Sequence, residues 1–142
     1  MPEKKKIQLI TLGHGGGGIL QEELIKFITE KISIKKIAYG VGVDAYDDGA
    51  TIPLDNYDYE IVVTADGHTV DPLFFPGGDL GKLSVCGTVN DLIMMGAKPL
   101  ALTSVVLIEE GTSFNYLGKI MDSFNKTAGE GGIAIIAGDT KV

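Results

Sequence analysis

Cysteine is scarce in this chain, which has a single cysteine among 142 residues and therefore no intrachain disulfide. Positive charge is also low, because 12 Lys and Arg residues face 19 Asp and Glu residues, for a net charge of -7. A surface that binds nucleic acid needs a basic patch, so this balance argues against a nucleic-acid partner.

Long hydrophobic runs are missing as well. No segment approaches the roughly 20 apolar residues that a membrane-spanning helix needs. The apolar run that follows Lys4, Lys5 and Lys6 is too short for a signal peptide. We therefore expect no membrane partner and a cytoplasmic location.

Glycine, in contrast, is abundant, and its 20 residues occur in clusters. The hydrophobic content of 44% is too high for a disordered chain, so the clusters favour backbone that closely approaches a ligand. The length suits one domain, which we assign to residues 1–142.

Apolar periodicity predicts a succession of strands and helices. The predicted strands cover residues 7–12, 60–65, 100–108 and 133–137, and the predicted helices cover residues 19–32, 82–96 and 113–129. Ser113 is the expected N-cap of the last helix. The strand, helix and strand between residues 100 and 137 are long enough for a parallel crossover, so the fold class is α/β or α+β.

Aspartates recur at the ends of predicted elements, beside glycine, or inside the apolar 82–96 helix, which we expect to be largely buried together with its Cys86. The set is Asp47, Asp48, Asp66, Asp91 and Asp139. A buried carboxylate is costly without a hydrogen-bond partner or a cation, and Mg²⁺ prefers such oxygen ligands. Each aspartate alone also suits a turn or a helix cap, and that interpretation stays open.

Two short motifs add polar groups to this set. Asn90 and Asp91 are adjacent polar residues in the apolar helix, which favours a ligand or metal role over a satisfied polar pair in the core. Residues 138–141 combine a glycine, a carboxylate, the hydroxyl of Thr140 and the cation of Lys141. These are the groups that a metal-bound phosphate requires.

The glycine-rich loop at residues 13–18 has three interpretations. Gly13, Gly15 and Gly18 match a dinucleotide fingerprint, with Asp44 as a poorly spaced ribose ligand. The consecutive glycines also suit a flap that closes over phosphates, or a simple connector. No Lys-Ser or Lys-Thr pair follows, so the loop is not a Walker A motif.

Beyond these patterns, seven motifs run along almost the whole chain. They are LGHGGGG (12–18), DDGA (47–50), TADG (64–67), VDPLFFPGGDLGKL (70–83), CGTVNDLIMMGAKPL (86–100), IEEG (108–111) and GDTKV (138–142). In this order they closely resemble the N-terminal half of the HypE family of hydrogenase maturation factors, within the AIR synthetase (PurM-like) superfamily. Parts of them also recur in thiamine-monophosphate kinase and selenophosphate synthetase.

The resemblance implies a PurM-like domain with a mixed β-sheet and packed helices, paired as a homodimer whose strands form a β-barrel across subunits. It implies an ATP and Mg²⁺ site in a groove lined by aspartates. The implied metal ligands are Asp47, Asp48, Asp66, Asp91 and Asp139. The implied nucleotide contacts are Gly15, Gly16, Gly17, Gly18, Asn90, Thr140 and Lys141.

The activity implied by the resemblance is ATP-dependent dehydration of a carboxamide carried on a C-terminal cysteine. The product is a thiocyanate, the source of the cyanide ligands of iron in [NiFe]-hydrogenase. HypF would donate the carbamoyl group, and the HypC–HypD complex would receive the cyanide. The C-terminal domain and its cysteine have no counterpart in this sequence, so we expect turnover only in the full-length protein. The sequence assigns no catalytic base.

Two alternatives from other functional classes remain at this stage. A dinucleotide-binding module would explain the glycine loop but leave the aspartates without a role. A purely structural domain for dimerisation or docking would need neither the glycine loop nor the aspartates.

Overall fold

The computed structural model describes residues 9–142, which form an α+β arrangement, so this coarse prediction is confirmed. A 3₁₀ helix at Leu12–Gly15 is followed by three α-helices: α1 (Gly18–Thr29), α2 (Leu80–Met94) and α3 (Phe114–Glu130). The strands are β1 (Ala50–Pro53), β2 (Glu60–Val63), β3 (Phe74–Phe75), β4 (Gly78–Asp79), β5 (Ala101–Leu107) and β6 (Ala134–Lys141).

The strands pair in three separate two-stranded sheets. β1 with β2 and β3 with β4 are antiparallel, whereas β5 and β6 are parallel and are joined through α3. The predicted crossover is therefore confirmed. The prediction of one mixed sheet was wrong for residues 9–142, because a groove separates β2 from β5.

Side-chain caps fix the starts of the two long helices. The Asp79 carboxylate accepts a hydrogen bond from the Lys82 N–H at 3.0 Å at the start of α2. The Ser113 hydroxyl accepts one from the Tyr116 N–H at 3.2 Å at the start of α3, so the predicted N-cap is confirmed. Of the helices at residues 9–142, none has the length and apolar character needed to cross a membrane.

The core lies between α2, α3 and the β5–β6 pair. It consists of Val85, Leu102, Phe124, Ala128 and Ile133, with Val89 and Met121 packed against it. Gly81 allows α2 to approach α3 closely, because a Cβ there would lie 2.1 Å from the Ile120 carbonyl oxygen. This packing positions α2, which carries Asp91.

Three predictions about elements were wrong. The strand at 7–12 is not present in its described part, since residues 9–11 are irregular and Leu12 begins the 3₁₀ helix; residues 7 and 8 lie outside the described residues. The last strand does not end at 137 but continues to Lys141, because β5 offers it partners as far as Leu107. The 82–96 helix is not largely buried, and Cys86 is exposed on it.

Candidate functional site

Thr64 joins two of the predicted ligand positions. It follows β2, and its hydroxyl donates to the Asp48 carbonyl oxygen at 2.8 Å and lies 3.4 Å from the Asp91 carboxylate. The backbone of the 47–50 loop is therefore held beside the Asp91 side chain of α2. The Asp47 carboxylate accepts the Asp48 N–H at 3.0 Å, which shapes the same loop.

Asp66 lies two residues further along the same segment, and both of its carboxylate oxygens have partners. One oxygen accepts the Gly67 N–H at 2.7 Å, and the other lies 3.1 Å from His68 Nε2. His68 in turn packs against Gly87 of α2. Thr64 and His68 were both missed by the sequence analysis as site residues, although TADGH places them on either side of Asp66.

The polar pair on α2 is more accessible than the sequence suggested. Asn90 is exposed and Asp91 is partly buried, and Ile93 and Met94 beside them are also exposed. The prediction that Asn90 and Asp91 lie in an apolar, buried environment was therefore wrong. Only one face of α2 packs against the core, and the Asp91 carboxylate is left within reach of a ligand.

Asp139, Thr140 and Lys141 lie within β6. The Asp139 carboxylate accepts the Thr140 N–H at 2.8 Å and pairs with Lys141 Nζ at 2.5 Å. Two hydrogen bonds lower the pKa of Asp139: the one from Lys141 has the larger effect, and the one from the Thr140 N–H has the smaller. Because strand side chains alternate, Asp139 and Lys141 share one face of β6 and Thr140 lies on the other.

The glycine loop takes a conformation that relies on glycine at two positions. Gly17 and Gly18 have φ values of 86° and 73°, and the Gly17 N–H donates to the Gln21 side chain at 2.6 Å. Both glycines line a hollow of about 640 Å³ that extends along α1 to Tyr46. Gly15 and Gly16 are exposed before it. Within residues 9–142, no hydrogen bond or ion pair joins this loop to the aspartates.

The dinucleotide interpretation of this loop needs a strand before it and a helix after it. Residues 9–11 are irregular, and the 3₁₀ helix contains Gly13 and Gly15. Asp44 pairs with Lys36 at 3.5 Å. The described residues therefore lack the strand–loop–helix unit that this alternative requires.

A groove of about 1000 Å³ runs between β2 and β5, beside the end of α2. Thr64, Asp66, Thr88 and Thr103 contribute polar groups to its lining. The rest of the lining is mostly apolar and comes from the two strands, from the end of α2 and from the segment that joins α2 to β5. The groove therefore connects the Thr64–Asp66 segment with the exposed edges of the sheets.

The predicted metal ligands do not form a closed cage. In the part of the chain from residue 9 onwards, no three or more His, Cys, Asp or Glu side chains are close enough to hold a metal ion. Mg²⁺, however, is commonly held by one or two carboxylates together with substrate phosphates and water. The oxygen chemistry around Asp48, Asp66 and Asp91 fits that mode, whereas Asp139 is already paired with Lys141.

The chain is similar to curated proteins along 94% of its length. A putative hydrogenase expression/formation protein of Methanocaldococcus jannaschii is 54% identical over 134 residues. The carbamoyl dehydratases HypE of Bradyrhizobium diazoefficiens and Escherichia coli K12 are 42% and 37% identical. The chain spans 36–39% of the length of these three relatives.

A solved structure shows the same similarity to HypE proteins. The chain superposes on a chain of the crystal structure of a HypE–HypF complex with a TM-score of 0.70 and 46% identity, over 88% of this chain and 36% of that one. The family model for the N-terminal domain of AIR synthase related proteins matches residues 46–142. The chain therefore belongs to the family of AIR synthase related proteins, and the part that matches is their N-terminal domain.

Proposed function

We propose that this chain is the Mg-ATP-binding and dimerisation domain of a HypE-type carbamoyl dehydratase that acts in [NiFe]-hydrogenase maturation. The observation that carries the proposal is the Thr64 bridge, which holds the Asp48 backbone beside the Asp91 carboxylate. It occurs in a chain that is 42% identical to a carbamoyl dehydratase HypE over 134 residues.

The reaction converts a cysteine-bound carboxamide into a thiocyanate. Transfer of the ATP γ-phosphoryl group to the amide oxygen makes that oxygen a leaving group. Departure of phosphate, with loss of the two amide protons, then leaves the carbon–nitrogen triple bond. Mg²⁺ would neutralise phosphate charge when bound, held by one or two carboxylates from among Asp48, Asp66 and Asp91 together with phosphate oxygens and water. The residues of this chain bind and orient the nucleotide for that transfer.

The remaining site residues are assigned around the phosphates. Asn90 lies beside Asp91 on the open part of α2 and is proposed to contact the nucleotide. Lys141 is proposed to reach a phosphate oxygen, with Asp139 then free to bind magnesium, and Asp47 and Thr140 complete the set. The loop of Gly15, Gly16, Gly17 and Gly18 is proposed to close over the nucleotide. Its exposure and left-handed backbone at Gly17 and Gly18 are compatible with that role.

The proposal includes a homodimer with a β-barrel across subunits. Apolar side chains on β5 and β6 support it, since Val105, Leu107 and Ile136 are 67%, 77% and 68% exposed. Apolar strands with open edges favour pairing with another chain. HypF is proposed as the carbamoyl donor, in line with the HypE–HypF complex, and the HypC–HypD complex as the cyanide acceptor, all in the cytoplasm.

The experiment that tests this function is a calorimetric titration of the chain with an unhydrolysable ATP analogue, with and without Mg²⁺. We expect binding that depends on magnesium, and no binding of NAD(H). Binding of NAD(H) without magnesium would favour the dinucleotide module instead. A dimer that binds neither ligand would favour the structural alternative.

A further inference from the structure

His68 is enclosed although it lies in a segment without regular secondary structure. Its side chain is 13% exposed, and its ring lies against the backbone of α2 at Gly87. A Cβ at position 87 would lie 2.2 Å from His68 Nε2 and 2.9 Å from Cε1. The absence of a side chain at Gly87 therefore makes the space that the imidazole fills.

The segment from Thr64 to His68 is attached to α2 at two points. Thr64 meets α2 at Asp91, and His68 meets it at Gly87. Positions 87 and 91 are four residues apart, so they lie on the same face of the helix, about one turn from each other. The segment thus runs along one face of α2, with Asp66 between its two points of attachment.

We propose that His68 is a positioning residue that fixes the Asp66 carboxylate for binding of Mg²⁺ and nucleotide; this inference rests on the proposed function. With its hydrogen on Nε2, His68 donates to one Asp66 oxygen, while the Gly67 N–H holds the other. Each oxygen keeps a second lone pair for a cation. A carboxylate oriented in advance binds a cation at lower entropic cost, because its rotamer is already fixed.

The test measures how strongly Mg²⁺ promotes binding of the ATP analogue to variants of this chain. His68→Ala should lower the apparent magnesium affinity by about tenfold or more, the usual effect of removing a group that orients a metal ligand. His68→Gln should recover most of that loss, because its amide nitrogen can take the place of Nε2. Thr69→Ala, an exposed neighbour, is the matched control and should bind like the wild type.

A second variant tests the contact with α2. Gly87→Ala places a methyl group where the imidazole lies, so it should displace His68 and lower the magnesium affinity in the same way. If the two changes act through one contact, the double variant should bind no more weakly than His68→Ala alone.

Three results would overturn the inference. If His68→Ala keeps the magnesium affinity of the wild type, His68 is removed from the site while the proposed function stands. If His68→Ala weakens binding equally with and without magnesium and lowers the melting temperature, the role of His68 is structural. Finally, if the wild-type chain binds no Mg-ATP, the proposed function is wrong, and the role of His68 that rests on it is wrong as well.

Discussion

Asp139 differs from the other aspartates of the proposed site because its carboxylate is paired with the cation of Lys141. Lys141 holds one oxygen, and this hydrogen bond is the main cause of the lowered pKa of Asp139. We expect Lys141→Met to return that pKa towards its ordinary value of 3.8. A carbon-detected NMR titration of the Asp139 carboxyl group measures this, with Lys119→Met as the control. Equal pKa values in the wild type and Lys141→Met would show that the pair does not form in solution.

The same pair determines the direction of a pH effect on stability. A carboxylate whose pKa is lower in the folded chain than in the unfolded chain stabilises the fold when ionised. That contribution is present above the unfolded value of 3.8 and is lost as pH falls through the lower folded pKa. It should be small, because both side chains are exposed and screened by solvent. Urea unfolding at descending pH should therefore show little difference between the wild type and Lys141→Met above pH 3.8.

At the residue scale, sequence patterns identified the chemical groups but not their partners. Asp48, Asp66 and Asp91 stand out because they lie beside glycine or in an apolar helix, and the structure brings Asp48 and Asp91 to the segment 64–68, which contains Asp66. Thr64 gave no such signal, because its partners lie 16 and 27 positions away. His68 gave none because its enclosure depends on Gly87 of α2, which the sequence does not place beside it. The Asp139–Lys141 pair could have been predicted from strand alternation once β6 was known to continue that far.

At the element scale, two helical glycines should respond oppositely to alanine, because only Gly81 lies in the close contact between α2 and α3. Gly81→Ala places a Cβ 2.1 Å from the Ile120 carbonyl oxygen, so it should destabilise the chain by about 1–3 kcal/mol. Gly118→Ala in α3 meets no atom within 4 Å and should stabilise the chain by about 0.5–1 kcal/mol, because alanine has the better helix propensity. Urea unfolding of both variants measures the difference. Equal effects would show that the two helices are not in close contact at Gly81.

The types of most long elements were predictable, and their ends were less so. Periodicity gave α1, α2 and α3, and the serine at 113 gave the start of α3. Glycine at 138 indicated the end of a strand, but pairing with β5 extends β6 through Gly138 to Lys141. The segment before the glycine loop reads as a strand in isolation, yet its described residues 9–11 pair with no strand. Pairing partners decide such cases, and they are not encoded locally.

For the molecule as a whole, exposed apolar strands predict self-association. Val105 on β5 is 67% exposed, and a lysine there should weaken pairing between chains because its charge would be desolvated. We expect light scattering to show a wild-type dimer at tens of micromolar, about the concentration of binding assays, and a larger monomer fraction for Val105→Lys. Ile34→Lys is the control, since Ile34 is 86% exposed but lies outside the strands. A monomeric wild type would contradict the proposed dimer.

The arrangement of the sheets was the least predictable feature. The sequence supports strands at 60–65 and 100–108 but contains no signal for the groove of about 1000 Å³ between them. Whether the strands of a second chain fill that groove depends on how two chains associate, and local sequence patterns do not encode this.

The central claim is that this chain holds Mg-ATP through Asp91, and one substitution tests it most directly. Asp91→Asn keeps the size of the side chain but removes the negative charge that Mg²⁺ requires. The side chain is only partly buried, so the melting temperature should stay close to that of the wild type. The control is Asp122→Asn, which changes an exposed carboxylate on α3.

The deciding measurement is calorimetric binding of the ATP analogue in the presence of Mg²⁺ to the wild type and both variants. We predict that Asp91→Asn melts like the wild type and loses at least about tenfold in magnesium-dependent affinity, while Asp122→Asn binds normally. An Asp91→Asn chain that melts normally and binds Mg-ATP as tightly as the wild type would contradict the account, because it would remove Asp91 from the site.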